Sequence, residues 1–336
     1  MDLNDKMSGL SNETCWESIL SLAEEVKKAQ KPIEFCSLTF GLKTSVHLNR
    51  FPPQKSKSLN AVFFLDPDKI KSVPDHIHGA FLITDVIQVS EIISSGLPKE
   101  FIQMIKTYAP YCFASVYAKR WKRAFAVSHL AQTLDGRIAT VAGDSKWIGS
   151  RGNFIHAHRM RALMDGIVIG SKTLMKDKPQ LTVRHVPGKN PCPVIIGSSL
   201  RILKCFLHDR NEPIFFVTSK TQVQDQRIRA LVLDRINGII KGSEILKSLY
   251  SQGIHSVYIE GGSFTTSHFL EDESVDVLQL HVSPLMLGSG INSFNLPVIQ
   301  NISSAVQFRD SKFLPVDKGI MFIGIPDSNG TKRKNR

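Results

Sequence analysis

Apolar positions along the chain follow two rhythms. Trp16, Ile19, Leu20, Ala23 and Val26 recur at three- and four-residue spacing, which predicts one amphipathic helix ended by Lys31-Pro32. The apolar runs over 33–40 and 44–48 predict strands, with a Pro- and Lys-containing loop from Phe51 onward. Residues 61–65 read as a buried strand that stops at Asp66-Pro67. A further strand is expected over 81–84, then a helical stretch over 90–108 broken at Gly96-Leu97-Pro98. Residues 1–118 therefore predict a small α/β unit with its own core and no motif that carries chemistry. His76 and His78, the nearest approach to a metal pair, read as loop residues.

From Ala124 the texture changes. Strand patterns at 125–131, 166–169, 194–196, 214–217, 231–233, 256–259 and 275–282 alternate with helical patterns at 153–164, 222–230, 243–251 and 263–270. That alternation predicts an α/β fold, a mainly parallel sheet with helices on both faces. Apolar runs over 282–287 and 319–325 predict antiparallel strands at the carboxy-terminal end. The basic run Lys119-Arg120-Trp121-Lys122-Arg123 reads as the linker between an amino-terminal region, 1–118, and a second domain, 119–327. A basic tail follows over 328–336.

Composition narrows the function. The 42% hydrophobic and 21% charged content suits a globular protein. No stretch approaches the ~20 apolar residues that span a bilayer, and the polar opening residues lack a secretory apolar core, so a cytoplasmic location is expected. The five cysteines are scattered singly, which argues against a disulfide framework and a C-x-x-C metal site; no metal is expected. A net charge of +12 raises the question of nucleic acid, but no helix-turn-helix, zinc-finger or RRM pattern accompanies the basic clusters. A positive cleft for an anionic small molecule fits the charge better.

Candidate chemistry concentrates between His129 and Arg184, with a counterpart downstream. Glu260-Gly261-Gly262-Ser263 follows a strand and opens a helix, the setting of a phosphate cradle and equally of a plain tight turn. Asp177 and Arg184 flank a short extended segment, either as site residues or as a surface ion pair. Arg159 and Arg161 stand two apart on a helix, so at most one faces a common site; His156 and His158 cannot share a metal at that spacing. Trp147 either stacks on a ring or anchors its loop. No G-x-G-x-x-G, P-loop or G-x-S-x-G motif occurs.

Taken in order, the motifs TLDGRIAT, GDSKWI, HRMRALMDGIVIG, DKPQLTVR and YIEGGSFTTSHFL, followed by VDVLQLHVSPLMLGSG, resemble the reductase domain of RibD-type riboflavin-biosynthesis proteins over roughly 124–325. The resemblance implies a dihydrofolate-reductase-like fold and a homodimer. It also implies NADPH-dependent reduction of 5-amino-6-(5-phosphoribosylamino)uracil, by hydride transfer to C1′ of the ring-opened sugar imine. On matching positions it places Ala131, Trp147, Gly170, Thr173, Asp177 and Ser198 at the cofactor, with the run from Gly261 through Gly262, Ser263, Phe264 and Thr265 to His268. Arg201 is added as a candidate for the cofactor's 2′-phosphate. It places Ser145, Arg161, Leu181, Arg184 and Glu260 at the substrate, with Arg161 and Arg184 on its phosphate, and Asp177 and Glu260 as the residues that orient or protonate.

Departures from the family pattern bound this expectation. The deaminase signatures H-x-E and P-C-x-x-C of the bifunctional proteins are missing, so residues 1–118 are not expected to be that deaminase. His129 stands where bacterial members usually carry a Lys near the substrate, and Gly149 where Thr or Ser is usual. Two alternatives therefore stay open. The same fold could reduce another pterin- or pyrimidine-like metabolite, or the chain could be a non-catalytic nucleotide-binding protein.

Overall fold

The computed structural model describes residues 11–327, apart from 41–43, 55–57, 71–72, 95, 209, 211 and 220–224. The basic tail over 328–336 and the first part of the helix predicted over 222–230 lie outside the described residues. The chain divides into two compact units, Met1–Tyr117 and Ala118–Arg336.

The first unit opens with helix α1 (Asn12–Lys28), capped by Ser11, whose hydroxyl accepts the Thr14 N–H at 3.2 Å. Trp16, Ile19, Leu22 and Val26 form its buried stripe. Strands β1 (Phe35–Phe40), β2 (Ser45–Leu48), β3 (Leu59–Phe64), β4 (Gly79–Ile83) and β5 (Val89–Ile93) make a sheet of order β2-β1-β3-β4-β5. β3 and β4 pair in parallel, and loop residues such as Phe51, Ile70 and Val73 pack against the Val62–Phe64–Ile77–Ala80 cluster at their crossover. Helices α2 (Lys99–Cys112) and α3 (Ala114–Trp121) complete the unit's chain. The helix expected over 90–108 is thus half wrong, because residues 89–93 pair antiparallel with β4 and the helix begins only after Pro98. The apolar residues of so short a run fit either period, and pairing with β4 decides. The basic linker is corrected too: residues 119–121 finish α3.

In the second unit the elements run β6 (Phe125–Thr133), β7 (Arg137–Ala139), α4 (Arg151–Leu163), β8 (Gly166–Gly170), α5 (Ser171–Asp177), β9 (Cys192–Ile196), α6 (Arg201–Leu207) and β10 (Ile214–Thr218). They continue with β11 (Ile228–Val232), α7 (Gly242–Ser251), β12 (Ser256–Ile259), α8 (Ser263–Glu271), β13 (Val277–Ser283), β14 (Ile291–Asn292), β15 (Gln307–Val316) and β16 (Gly319–Asp327). Nine strands form one sheet of order β11-β10-β9-β8-β12-β6-β13-β16-β15. The first seven in that order are parallel to their neighbours; β16 is antiparallel to β13, and β15 to β16. The expected α/β class, with its antiparallel carboxy-terminal strands, is what forms.

Alternation along the strands sorts the side chains onto two faces. Ala126, Val168, Val257 and Ile259 pack with Ile245 and Leu249 of α7 and Phe269 of α8. Ile167, Ile169, Ile195 and Phe216 pack with Leu174 of α5 and Leu203 and Leu207 of α6. Helices cover both faces, as a parallel sheet requires.

Three expectations fail locally. Residues 228–230, expected to finish a helix ahead of a strand over 231–233, already belong to β11, because the open edge of β10 supplies a parallel partner from Ile214 to Thr218. Residues 284–287 do not continue the sheet; there Asp135 of the Leu-Asp-Gly turn accepts the N–H groups of Leu287 and Gly288, the latter at 2.7 Å. Helices α5 and α6 escape the pattern because each is only seven residues long.

Two buried polar features tie this unit together. Asp276, 4% exposed, accepts two hydrogen bonds from Arg123, at 2.6 and 2.8 Å, and the Ala126 N–H at 2.9 Å. It thereby fastens the entrance of β6 to the start of β13. Beneath α4, His156 donates through Nε2 to Gln279 on β13 at 2.9 Å, and His129 on β6 donates through Nε2 to Asn153 at 3.0 Å. Burial pushes the His129 imidazole down to about 4 and that of His156 to about 3, against partial compensation by those hydrogen bonds.

Removing the Asp276 carboxylate strands a buried guanidinium and a strand N–H. Asp276→Ala should therefore lower unfolding stability by roughly 3–5 kcal/mol, read by urea titration. The histidines make a second prediction. Both stay neutral in the fold at pH values where the unfolded chain, titrating near 6.5, takes up protons. Their contribution is complete above that pH and falls away as pH drops towards 4, at about 1.4 kcal/mol per pH unit for each histidine. The midpoint of thermal unfolding should fall steeply between pH 7 and 4.5, and less steeply in His156→Gln.

Candidate active site

The carboxyl ends of adjacent parallel strands are where an open α/β sheet leaves room for a ligand. Here the ends of β6, β8, β9 and β12 bring together the residues the sequence singles out. Two crossovers adjoin there, β8 into α5 and β12 into α8. A Cβ at Gly261 would collide with Thr265, and one at Gly170 would lie 2.6 Å from the Thr265 hydroxyl. Gly262 donates its N–H to Thr173 Oγ1 at 3.3 Å. Glycine at 170 thus lets the two turns touch, and glycine at 261 lets the second turn close onto the start of its own helix. Neither α5 nor α8 has a side-chain cap, so backbone donors at both starts remain for another acceptor.

Around this junction stand further cofactor-side candidates. Thr173 and Asp177 are four apart and share one face of α5. Phe264 on the first turn of α8 is 59% exposed, and the Lys172 ammonium sits 5.9 Å from its ring centroid. Ser198 follows β9 on an exposed turn, and Ala131 is half-buried on β6. Trp147 is 80% exposed at a φ of 69°, in a loop where Asp144 accepts the Lys146 N–H and Ser145 is exposed. Arg201 opens α6 and lines a cavity together with Met175 and Lys178, apart from the Gly170–Gly262 junction.

Two of the substrate-side candidates, Arg161 and Glu260, meet in one buried ion pair. Arg161 Nε donates to Glu260 Oε1 at 2.7 Å and Nη2 to Oε2 at 2.6 Å, with the side chains 12% and 17% exposed. Arg161 Nη1 also donates to the Thr182 carbonyl at 3.0 Å. One guanidinium therefore links α4, the end of β12 and the 178–184 loop. Of the two readings of Asp177 and Arg184, the surface ion pair does not form: Arg184 Nη1 donates to Gln180 Oε1 at 2.5 Å and to Thr182 Oγ1 at 3.1 Å. Leu181 takes a φ of 55° and turns its side chain into the core beside Leu174 and Ile167.

His158, Thr182 and Asn153 are residues the motifs did not single out for the site. His158 Nδ1 accepts the Arg184 N–H at 2.9 Å, and its ring meets His185 edge-on at 4.5 Å. Burial, then the charges of Arg161, His185 and Arg184, push His158 down to about 4, so it stays an acceptor at neutral pH. Both His156 and His158 are buried although two apart on a helix, because α4 packs against the sheet and against the 181–185 loop. No local signal reveals that contact across 26 residues. Asn153 joins the two departures: it holds His129, and a Cβ at Gly149 would sit 2.8 Å from its Nδ2. Among the described residues no group of three or more His, Cys, Asp or Glu could hold a metal ion.

Comparison with known proteins agrees with this geometry. The chain is 27% identical over 308 residues to the riboflavin biosynthesis protein RibD of Aquifex aeolicus, covering 88% of this chain and 80% of that protein. That stretch exceeds the second unit, so the similarity runs into the first. A match of 30% identity over 174 residues, 49% of this chain and 80% of the relative, falls on the 2,5-diamino-6-ribosylamino-4(3H)-pyrimidinone 5′-phosphate reductase of Methanothermobacter thermautotrophicus. The fold is shared with a Thermotoga maritima diaminohydroxyphosphoribosylaminopyrimidine deaminase/5-amino-6-(5-phosphoribosylamino)uracil reductase. Its TM-score is 0.61 at 21% identity, over 94% of this chain and 100% of that one. The family model described as the RibD C-terminal domain matches residues 124–322, and the chain belongs to that family.

Proposed function

We propose that the second unit is an NADPH-dependent reductase of riboflavin biosynthesis that converts the ribosyl side chain of a phosphoribosylamino-pyrimidine to ribityl. The observation that carries this reading is the Arg161–Glu260–Thr182 linkage beside the Gly170–Gly262 junction: a carboxylate and a guanidinium fixed within the same strand ends as a backbone phosphate cradle. The names of the relatives point to the same reaction.

The residues fit a dinucleotide. Uncapped N–H groups of α8 and the bare backbone at Gly261 and Gly262 suit a pyrophosphate, with Thr173 beside Gly262 and Asp177, Ser198 and Phe264 as further side chains offered to the cofactor. When bound, the nicotinamide supplies the hydride that reduces a carbon–nitrogen double bond to an amine. The chain's own part is position and charge. Both Glu260 oxygens accept from Arg161, so Glu260 serves as a fixed acceptor that orients donor groups of the pyrimidine. Asp177 is the exposed carboxylate left to serve the proton that the amine nitrogen gains. Arg161 is committed to Glu260 and Thr182, so the phosphate falls to Arg184, with Arg161 as a positioning residue. Trp147 and Ser145 approach from their exposed loop.

A second reading rests on the linked pair of departures. His129, held neutral against Asn153 with Gly149 opposite, alters the substrate wall and favours a related pterin- or pyrimidine-like substrate. The first unit is proposed to lack zinc deaminase chemistry, on the missing H-x-E and P-C-x-x-C signatures. A homodimer is supported by exposed Phe313 and Ile320 on the β15–β16 pair, at the sheet's edge. No helix among the described residues is long and apolar enough to cross a membrane, and a cytoplasmic location suits the substrate.

The deciding measurement is equilibrium titration with NADPH and NADH, followed by nicotinamide oxidation in the presence of the phosphoribosylamino-pyrimidine. Tight NADPH binding with turnover is expected; absence of NADPH binding sinks the reading, and binding with turnover only of another substrate moves weight to the second one. Arg184→Ala should raise the substrate KM by roughly 10- to 100-fold while leaving the NADPH Kd within about twofold. Equal losses would put Arg184 at the cofactor instead. Glu260→Gln should lower kcat by about 100-fold, since it frees Arg161 as well as removing the acceptor.

A further inference from the structure

Behind the 178–184 loop, on the sheet face covered by α5 and α6, lies a cavity of about 930 Å³. Its volume is that of a drug-sized ligand site. Leu174 and Met175 of α5 and Ile202 and Phe206 of α6 supply apolar walls. Pro179, Pro191, Pro193 and Pro213 also line it. Prolines have fixed φ and no N–H, so this part of the wall is stiff and offers no backbone donor. Pro191 and Pro213 stand at the amino-terminal ends of β9 and β10, a strand length from the site described above. Thr173, Ser198, Gly262, Glu260 and Arg184 do not line it.

Charge at the cavity is lopsided. Among the described residues that line it, Lys178, Arg201 and Arg210 stand against one acid, Glu212. The Arg210 guanidinium lies 4.3 Å from the centroid of the Phe206 ring, so cation and aromatic face are presented together. An apolar chamber with this rim suits a ligand that is flat and hydrophobic in body and negative at one end.

We propose that this cavity is a second small-molecule site, taking an aromatic monoanion, separate from the cofactor and substrate positions, and that Arg201, offered above for the cofactor's 2′-phosphate, serves this site instead. Its front wall gives it a link to them. Gln180 and Thr182 line the cavity, and the same two side chains accept from Arg184 while the Thr182 carbonyl accepts from Arg161. An occupant therefore rests against the back of the loop that sets both arginines.

The test uses the full chain and 1-anilinonaphthalene-8-sulfonate as the aromatic anion. Its fluorescence should rise saturably with a one-to-one stoichiometry and remain when NADPH is saturating. Met175→Glu and Arg210→Glu should each weaken it by about tenfold or more, since each puts a negative charge against the bound anion. Met175 is 53% exposed, so that variant keeps its fold, and matching circular dichroism and melting temperature establish this for each variant. An absence of saturable binding overturns the proposal, and so does equal affinity in the folded Met175→Glu variant. Displacement by NADPH overturns it as well, because the anion would then occupy the cofactor's place. None of these outcomes depends on which pyrimidine the enzyme reduces.

Discussion

The ion pair between Arg161 and Glu260 is the contact on which the active-site end of the second unit depends. Burying a guanidinium and a carboxylate costs several kcal/mol per ion, repaid only when geometry is good and the remaining donors are used. Here the pairing is two-pronged and a third donor reaches the Thr182 carbonyl. The pair therefore joins a helix, a strand end and a loop that are far apart in sequence. Position, more than stability, is what such a pair secures, because a hydrophobic replacement would fill the space without aiming Glu260.

Everything around the pair serves the same placement. His158 takes the Arg184 N–H, so the loop that carries Arg184 is tied back to the helix that carries Arg161. Leu181, at a left-handed φ, is driven into the core and turns the chain between Pro179 and Arg184. On the other side, glycines at 170, 261 and 262 let the starts of α5 and α8 meet with Thr173 and Thr265 between them. A side chain at Gly170 would press on Thr265 and push the two turns apart, and one at Gly261 would collide with Thr265 in the start of its own helix.

His129 and Gly149 look unrelated along the chain, yet both act on Asn153. His129 gives it a hydrogen bond, and Gly149 leaves room for its amide. Departures from a family pattern that share one partner are coupled, and changing either alone leaves the other without its reason. The chain is accordingly neutral at this point, with an imidazole kept uncharged by burial.

The pattern of the chain determined the class of the second unit, the order of its parallel strands and helices, and the motifs that carry the family, because these depend on local period and on turn residues that need no distant partner. It misread residues 90–93 and 228–230, where a neighbouring strand edge overrode a helical period, and it passed over α5 and α6, too short to show one. Only the tertiary structure decided that Arg184 pairs with Gln180 and Thr182 instead of Asp177, that Arg161 is committed to Glu260, and that His158 holds the loop. Those contacts join α4, β12 and the 178–184 loop, and their partners are set by how helices pack on a sheet, which no spacing along the sequence encodes.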